Sequence, residues 1–176
     1  MDAPSASVTA AAAEIRRRRP RIRKVRLHKL LYYVQGYHLA WQGEPAFPDD
    51  IEAWESGPVV ASLWHAENRR GQGRAEPLRE SVRNILTNVL CRLGDKTVAE
   101  LIATTHAEDP WLETTQDGTV IANQLIPHES LAQYFGTESP ELKRMLKDLD
   151  VVRDDSPFVP DPPGALDALV AEFSLR

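Results

Sequence analysis

Residues 27–42, LHKLLYYVQGYHLAWQ, decide the fold class because their apolar side chains recur at the spacing of an α-helix. Tyr33 and Tyr37 widen this apolar stripe. Gly36 costs a helix about 1 kcal/mol relative to alanine, which predicts that a neighbouring backbone passes close by. Gly43 supplies a stop signal, so the sequence predicts one long helix packed against a core. The stripe consists of Leu27, Leu30, Leu31, Val34, His38 and Trp41.

The rest of the chain predicts further helices, each marked by a proline, a glycine or a capping box. They cover Val8–Arg19, about Pro77–Gly94, Thr97–His106, a short segment that Asp109 caps, Pro127–Gly136 and two segments after Ser139.

The segment between Gly43 and Pro77 has a less clear pattern. Ile51–Trp54 is too short for a helix and is predicted to be extended. Ser56-Gly57-Pro58 is predicted to restart a helix, because proline suits the first helical position. Gly118–Ile126 is predicted to form a second short strand. The sequence therefore predicts a mainly α fold: a compact single-domain multi-helix bundle with at most a small two-stranded β element.

The proline-rich spacer SPFVPDPP, residues 156–163, predicts a C-terminal helical appendage. The expected organisation is a flexible N-terminus (1–7), a helical domain (8–136) and a C-terminal helical extension that contains the spacer (137–176). At 176 residues the chain is long enough for one core without disulfides.

Composition indicates a cytoplasmic protein. Cys91 is the single cysteine, which excludes an internal disulfide and a multi-thiolate metal cluster. No apolar run approaches the roughly 18 residues of a membrane span, and the N-terminus lacks the pattern of a signal peptide.

Charge is distributed unevenly along the chain. Residues 16–26 carry eight basic side chains and no acid, whereas the chain from Leu27 onward has 13 basic and 24 acidic residues. The cluster could contact nucleic acid or an acidic protein, or its arginines could pair with the acidic body, and the last interpretation is slightly favoured because no helix-turn-helix pattern follows. Its candidate contact residues are Arg16, Arg17, Arg18, Arg19, Arg21 and Arg23.

The sequence contains few candidate catalytic groups. His106 and Asp109 lie close together in sequence, but their spacing is not that of a metal-binding helix face, and they are predicted to mark helix ends. Cys91 has no adjacent base and is predicted to be a small core residue. No phosphate-binding loop or nucleophile elbow is present. The sequence therefore predicts no enzyme activity, no catalytic residue, no metal and no cofactor.

Three motifs together resemble those of the Panacea domain, also called the SocA-like antitoxin domain. They are KLLYYVQGYHLAWQG (29–43), IEAWESGPVV (51–60) and THAEDPW (105–111). Their order and spacing are similar to the family over roughly residues 8–136, although the arginine-rich first helix fits less well. The candidate scaffold or toxin-binding positions are Lys29, Tyr32, Tyr33, Gln35, Trp54, Gly57, Pro58, Trp64, His106, Asp109, Pro110 and Trp111.

The resemblance implies an antitoxin that neutralises a protein toxin by direct contact, without a cofactor or a catalytic residue. One type of family member is instead an adaptor that delivers its toxin to a cytoplasmic ATP-dependent protease. The family pairs with many unrelated toxins, so the resemblance implies no particular toxin. An autoregulator that binds nucleic acid through residues 16–26 is a further alternative.

The tryptophans allow two interpretations. Trp54, Trp64 and Trp111 are predicted to be core residues, since buried aromatic side chains are usually part of the scaffold. On this interpretation Trp54 is buried where its loop crosses the long helix. On the alternative, the same side chains form the rim of a groove for the toxin.

Overall fold

The long helix predicted from residues 27–42 lies at the centre of a helical fold. The structure is a computed structural model that describes residues 7–68, 77–116, 118–121 and 124–137. Within these ranges the predicted mainly α class with one small sheet is confirmed. The elements are α1 (Val8–Arg18), α2 (Lys24–Gln42), β1 (Glu52–Trp54), β2 (Gly57–Val59), α3 (Ala61–Asn68), α4 (Glu80–Leu93), α5 (Val98–His106), α6 (Asp109–Thr114) and α7 (His128–Thr137).

Helix α2 is buried on all sides. Every residue from Leu27 to Leu39 is buried, because α1, α4, α5, α7 and β2 all pack against it. The apolar stripe predicted from the sequence is therefore only part of the buried surface. Gly43 ends the helix in the left-handed conformation (φ 71°), as its stop signal predicted.

Gly36 faces a side chain, and the prediction of a neighbouring backbone is wrong. A Cβ atom at Gly36 would lie 2.2 Å from two ring carbons of Phe135 on α7. The Phe135 ring is fully buried and contacts the rings of Tyr32, Tyr33 and Tyr37. The glycine thus lets α7 insert an aromatic side chain against α2, and these two helices form the largest interface of the fold.

Strands β1 and β2 form an antiparallel hairpin in which Trp54 pairs with Gly57 and Ala53 with Pro58. The predicted helix restart at Ser56-Gly57-Pro58 is wrong, since α3 begins only at Ala61. Gly57 has φ +92°, which no right-handed helix contains. The Ala53 amide donates to the Gln124 carbonyl on the other side of β1 (2.9 Å), so it points away from β2. Pro58 lies opposite Ala53 and has no N–H group, and at this position the pairing of the two strands does not need one.

The predicted strand Gly118–Ile126 is also wrong for the residues described there. Its one ladder contact is an isolated bridge between Leu125 and Glu52. The Ile126 amide donates to the Ile51 carbonyl (2.8 Å), so Gln124–Ile126 covers the edge of β1 that faces away from β2. The pairing is short because Pro127 follows it and α7 begins at His128.

The predicted helices after Ser139, the C-terminal extension beyond Thr137 and the flexible N-terminus before Ser7 lie outside the described residues. Among the described helices, none combines the length and hydrophobicity that crossing a bilayer requires.

Candidate functional site

The three sequence motifs meet at Gly57. A Cβ atom there would lie 2.8 Å from the Thr105 hydroxyl oxygen and 3.0 Å from the Lys29 ammonium nitrogen. Position 57 therefore requires glycine for two reasons: its φ is positive, and there is no space for a side chain. The motif residues of α2, β2 and α5 form one buried cluster on this side of the fold.

Lys29 is fully buried, and its ammonium group donates a hydrogen bond to the Pro58 carbonyl (2.8 Å). No described carboxylate lies within 4.0 Å of it. Burial without a counter-charge lowers the pKa of Lys29 to about 7. The lysine joins α2 to β2, and its charge is costly to keep inside the core.

Glu108 is a buried carboxylate that the sequence did not single out. It accepts a hydrogen bond from the Tyr33 hydroxyl (2.7 Å). Burial, and then Glu108, raise the pKa of both Tyr32 and Tyr33, so these phenols stay protonated. Asp109, predicted to cap α6, is instead the first residue of that helix and is exposed, and Glu108 occupies the N-cap position.

His106 and Trp111 stack face to face, with ring centroids 4.0 Å apart. Burial lowers the pKa of His106, with a smaller effect from the charge of Lys29. Trp111 is buried and donates its indole hydrogen to the Trp54 carbonyl (3.1 Å), so its predicted core role is confirmed. Among the described residues, no three His, Cys, Asp or Glu side chains are grouped so that they could hold a metal ion.

Trp54 and Trp64 lie at the surface, partly exposed, so the prediction that both are core residues is wrong. Side chains alternate along β1, and Ala53 is the residue that points into the core. The Trp54 indole donates to the Glu52 carboxylate (2.8 Å) and packs edge-to-face on Trp64, with centroids 5.5 Å apart. The Lys24 ammonium lies 4.0 Å from the centroid of the Trp64 ring.

Residues 27–112 match the family model "Antitoxin SocA-like, Panacea domain". Over this segment the chain is similar to Panacea domains. The recognition made from the three motifs is therefore confirmed for this range. No curated protein and no solved structure matches the chain.

Gln35, which lies in the matched segment, holds the loop after α2. Its amide oxygen accepts from the backbone amides of Ala46 (2.9 Å) and Phe47 (3.3 Å), and its amide nitrogen donates to the Phe47 carbonyl (3.0 Å). The buried side chain thus satisfies three backbone groups that have no partner in a helix or strand. In the structure this motif residue is part of the scaffold.

Two histidines on α2 are buried as neutral rings. His38 donates from Nδ1 to the Glu44 carbonyl (2.7 Å) and accepts at Nε2 from the Ser81 hydroxyl (3.0 Å), which confirms the expected hydrogen-bonded core histidine. His28 accepts from the Val60 amide at Nδ1 (3.2 Å). Burial, then the charge of Lys29, lower the pKa of His28 to about 3.

We expect His28 to make the folded protein less stable in acid. Because the His28 pKa is about 3 in the folded chain and about 6.5 in the unfolded chain, the unfolded state binds more protons and stability falls as pH drops from 6.5. In His28→Asn the amide oxygen can replace Nδ1 as the acceptor, and the titration is lost. We expect the variant to lose about 2 kcal/mol less unfolding free energy than wild type between pH 6.5 and 4.5 in urea melts. An equal loss in both proteins would contradict this assignment.

The arginine cluster, which precedes the matched segment, is largely engaged in contacts within the chain. Four of its six candidate residues contact carboxylates. The pairs are Arg16 with Glu67, Arg17 and Arg18 with Glu14, and Arg19 with Asp95. The other two, Arg21 and Arg23, are exposed and form no ion pair with another described residue. This arrangement agrees with the interpretation in which the arginines pair with acidic groups of the chain.

Proposed function

We propose that this protein is a cytoplasmic antitoxin that neutralises a cognate protein toxin by direct binding. The observation that carries the proposal is the match of residues 27–112 to the SocA-like antitoxin, Panacea domain family. The toxin is expected to be the product of an adjacent gene. The chain from Leu27 onward carries 13 basic and 24 acidic residues, a balance that favours a basic toxin through charge complementarity.

The positions of two buried titratable motif residues support binding rather than catalysis. Lys29 and Glu108 are both buried, and each has a structural partner, Pro58 and Tyr33 respectively. A group that transfers a proton must come within hydrogen-bond reach of a substrate. Neither side chain is accessible from the surface, so the altered pKa of Lys29 has a structural cause in burial.

Co-expression with the neighbouring gene product tests the proposal. We expect that product to stop growth when expressed alone, and growth to recover when this protein is induced with it. The two purified proteins should also form a stable complex in size-exclusion chromatography. A neighbouring product that is harmless alone, or that stays lethal beside this protein, would refute the antitoxin function.

The half-life of the toxin separates blocking from protease delivery. Direct blocking predicts rescue with an unchanged toxin half-life, also in a strain that lacks the relevant ATP-dependent protease. An adaptor would instead shorten the half-life and would fail to rescue the protease-deficient strain.

A further inference from the structure

One surface of the sheet combines partly or fully exposed apolar side chains with acids that form no ion pair within the described part of the chain. Trp54, Trp64, Glu52 and Leu125 form it, and we name it the tryptophan–leucine face. Leu125 is 50% exposed. In the described part of the chain, Leu125 and Ile121 are the only large hydrophobic residues that are exposed. Exposed apolar groups that adjoin one another often mark a protein-binding surface.

These four side chains are neighbours for geometric reasons. Leu125 and Glu52 are directly opposite in an antiparallel bridge, so their side chains leave the sheet on the same side. Trp54 is two residues after Glu52 on the same strand, so it shares that side and hydrogen-bonds to the Glu52 carboxylate. The 5.5 Å contact with Trp64 extends the surface onto α3.

The buried cluster does not require an aromatic side chain at position 54. The link from Trp54 to Trp111 uses the Trp54 carbonyl, which any residue supplies. The inward-facing residue of β1 is Ala53, which is 1% exposed. Trp54 therefore adds apolar area outside the core, and partly exposed tryptophans are overrepresented among residues that dominate binding energy.

The charges next to the tryptophan–leucine face point to a basic partner. Glu52 and the exposed Glu55 form no ion pair with any described residue. The Lys24 ammonium over the Trp64 ring shows that the Trp64 indole of this face accommodates a cation. An arginine guanidinium suits such a place best, since it stacks on indole and pairs with carboxylates through two hydrogen bonds.

We propose that the tryptophan–leucine face is the toxin-binding surface, and that it receives a basic segment of the toxin in which an arginine lies beside an apolar side chain. The arginine stacks on Trp54 between Glu52 and Glu55, and the apolar side chain covers Leu125. This inference rests on the proposed antitoxin function. It assigns binding to side chains outside the buried motif cluster.

The experiment measures the affinity of the purified toxin for single variants of the full chain. We expect Trp54→Ala to raise Kd by about 30-fold or more. Leu125→Gln and Glu55→Lys, both at exposed positions that leave the core unchanged, should each raise Kd by about tenfold. In Glu55→Lys the association rate should also lose much of its dependence on ionic strength.

Glu80→Lys is the matched control for the charge reversal. Glu80 is exposed on α4, a helix whose main packing partners are α1 and α2. This variant should keep the wild-type Kd within about twofold, as distant surface changes do. Thermal unfolding of every variant separates lost binding from lost folding.

Each outcome decides between the two proposals. Wild-type affinity in Leu125→Gln and Glu55→Lys would overturn the binding surface while leaving the antitoxin function intact. If the wild-type protein alone has twice the mass of one chain in solution, and Leu125→Gln restores the mass of one chain, the face is a homodimer interface. This result would also overturn the proposed toxin-binding surface. If the wild-type protein neither binds nor neutralises the neighbouring product, both proposals fail.

Discussion

Gly36→Ala is expected to be among the most destabilising single-methyl changes in this protein. The new Cβ atom would lie 2.2 Å from the Phe135 ring, and this fully buried ring already contacts the rings of four tyrosines. Overpacking of a close-packed core typically costs 1–3 kcal/mol and sometimes more. Even after a gain of about 1 kcal/mol in helix propensity, we expect a loss of about 2–4 kcal/mol in unfolding free energy.

The control for this prediction is Gly136→Ala on α7. A Cβ atom there would meet no other atom within 4 Å, so alanine should be neutral or stabilise by up to about 1 kcal/mol. Adding Phe135→Leu to Gly36→Ala should cost less than the two single changes together, because the smaller side chain makes room for the methyl group. Additive losses in urea melts would show that Phe135 is not the source of the strain.

Lys29 is expected to make the protein more stable as pH rises. Its pKa is about 7 in the folded chain and about 10.4 in the unfolded chain, so the unfolded state holds the extra proton between these values. The unfolding free energy should rise by up to about 1.4 kcal/mol per pH unit, or about 3 kcal/mol from pH 7 to 9.5. Above pH 10 the raised pKa values of Tyr32 and Tyr33 act in the opposite direction, because tyrosines of the unfolded chain ionise first.

Lys29→Met tests this source of pH dependence. Methionine has a similar length and no charge, so the rise between pH 7 and 9.5 should largely disappear. The Pro58 carbonyl loses its partner, and for that reason the slope with pH is the deciding measurement rather than stability at one pH. Lys96→Met, which removes a lysine outside the core, should keep the wild-type slope. A slope unchanged in Lys29→Met would refute the assignment.

Local signals predicted the helices well. The stop at Gly43 and the capping box of Thr97 and Glu100 are both confirmed, because each depends on residues within one turn. The strand at Gly57 was missed because its positive φ is stabilised by packing beside Lys29 and Thr105, which are distant in sequence.

The candidate site was predicted less completely than the fold. Glu108 precedes the Asp-Pro pair and has no sequence signal for burial, since its partner Tyr33 is on another helix. Trp54 was assigned to the core because of its residue type, whereas the alternation of β1 turns Ala53 inward. Hydrophobicity correctly predicted that α2 belongs to the core, but the direction of the Trp54 side chain depended on strand pairing.

The interface between α2 and α7 joins parts of the chain that are synthesised far apart in time. Residues near Tyr32 leave the ribosome about a hundred residues before Phe135, which completes their packing. Until then the tyrosine surface of α2 is open to chaperones and proteases in the nascent chain. The core around α2 can close only after α7 has emerged, so we expect a chain interrupted before that helix to leave the tyrosine surface of α2 uncovered.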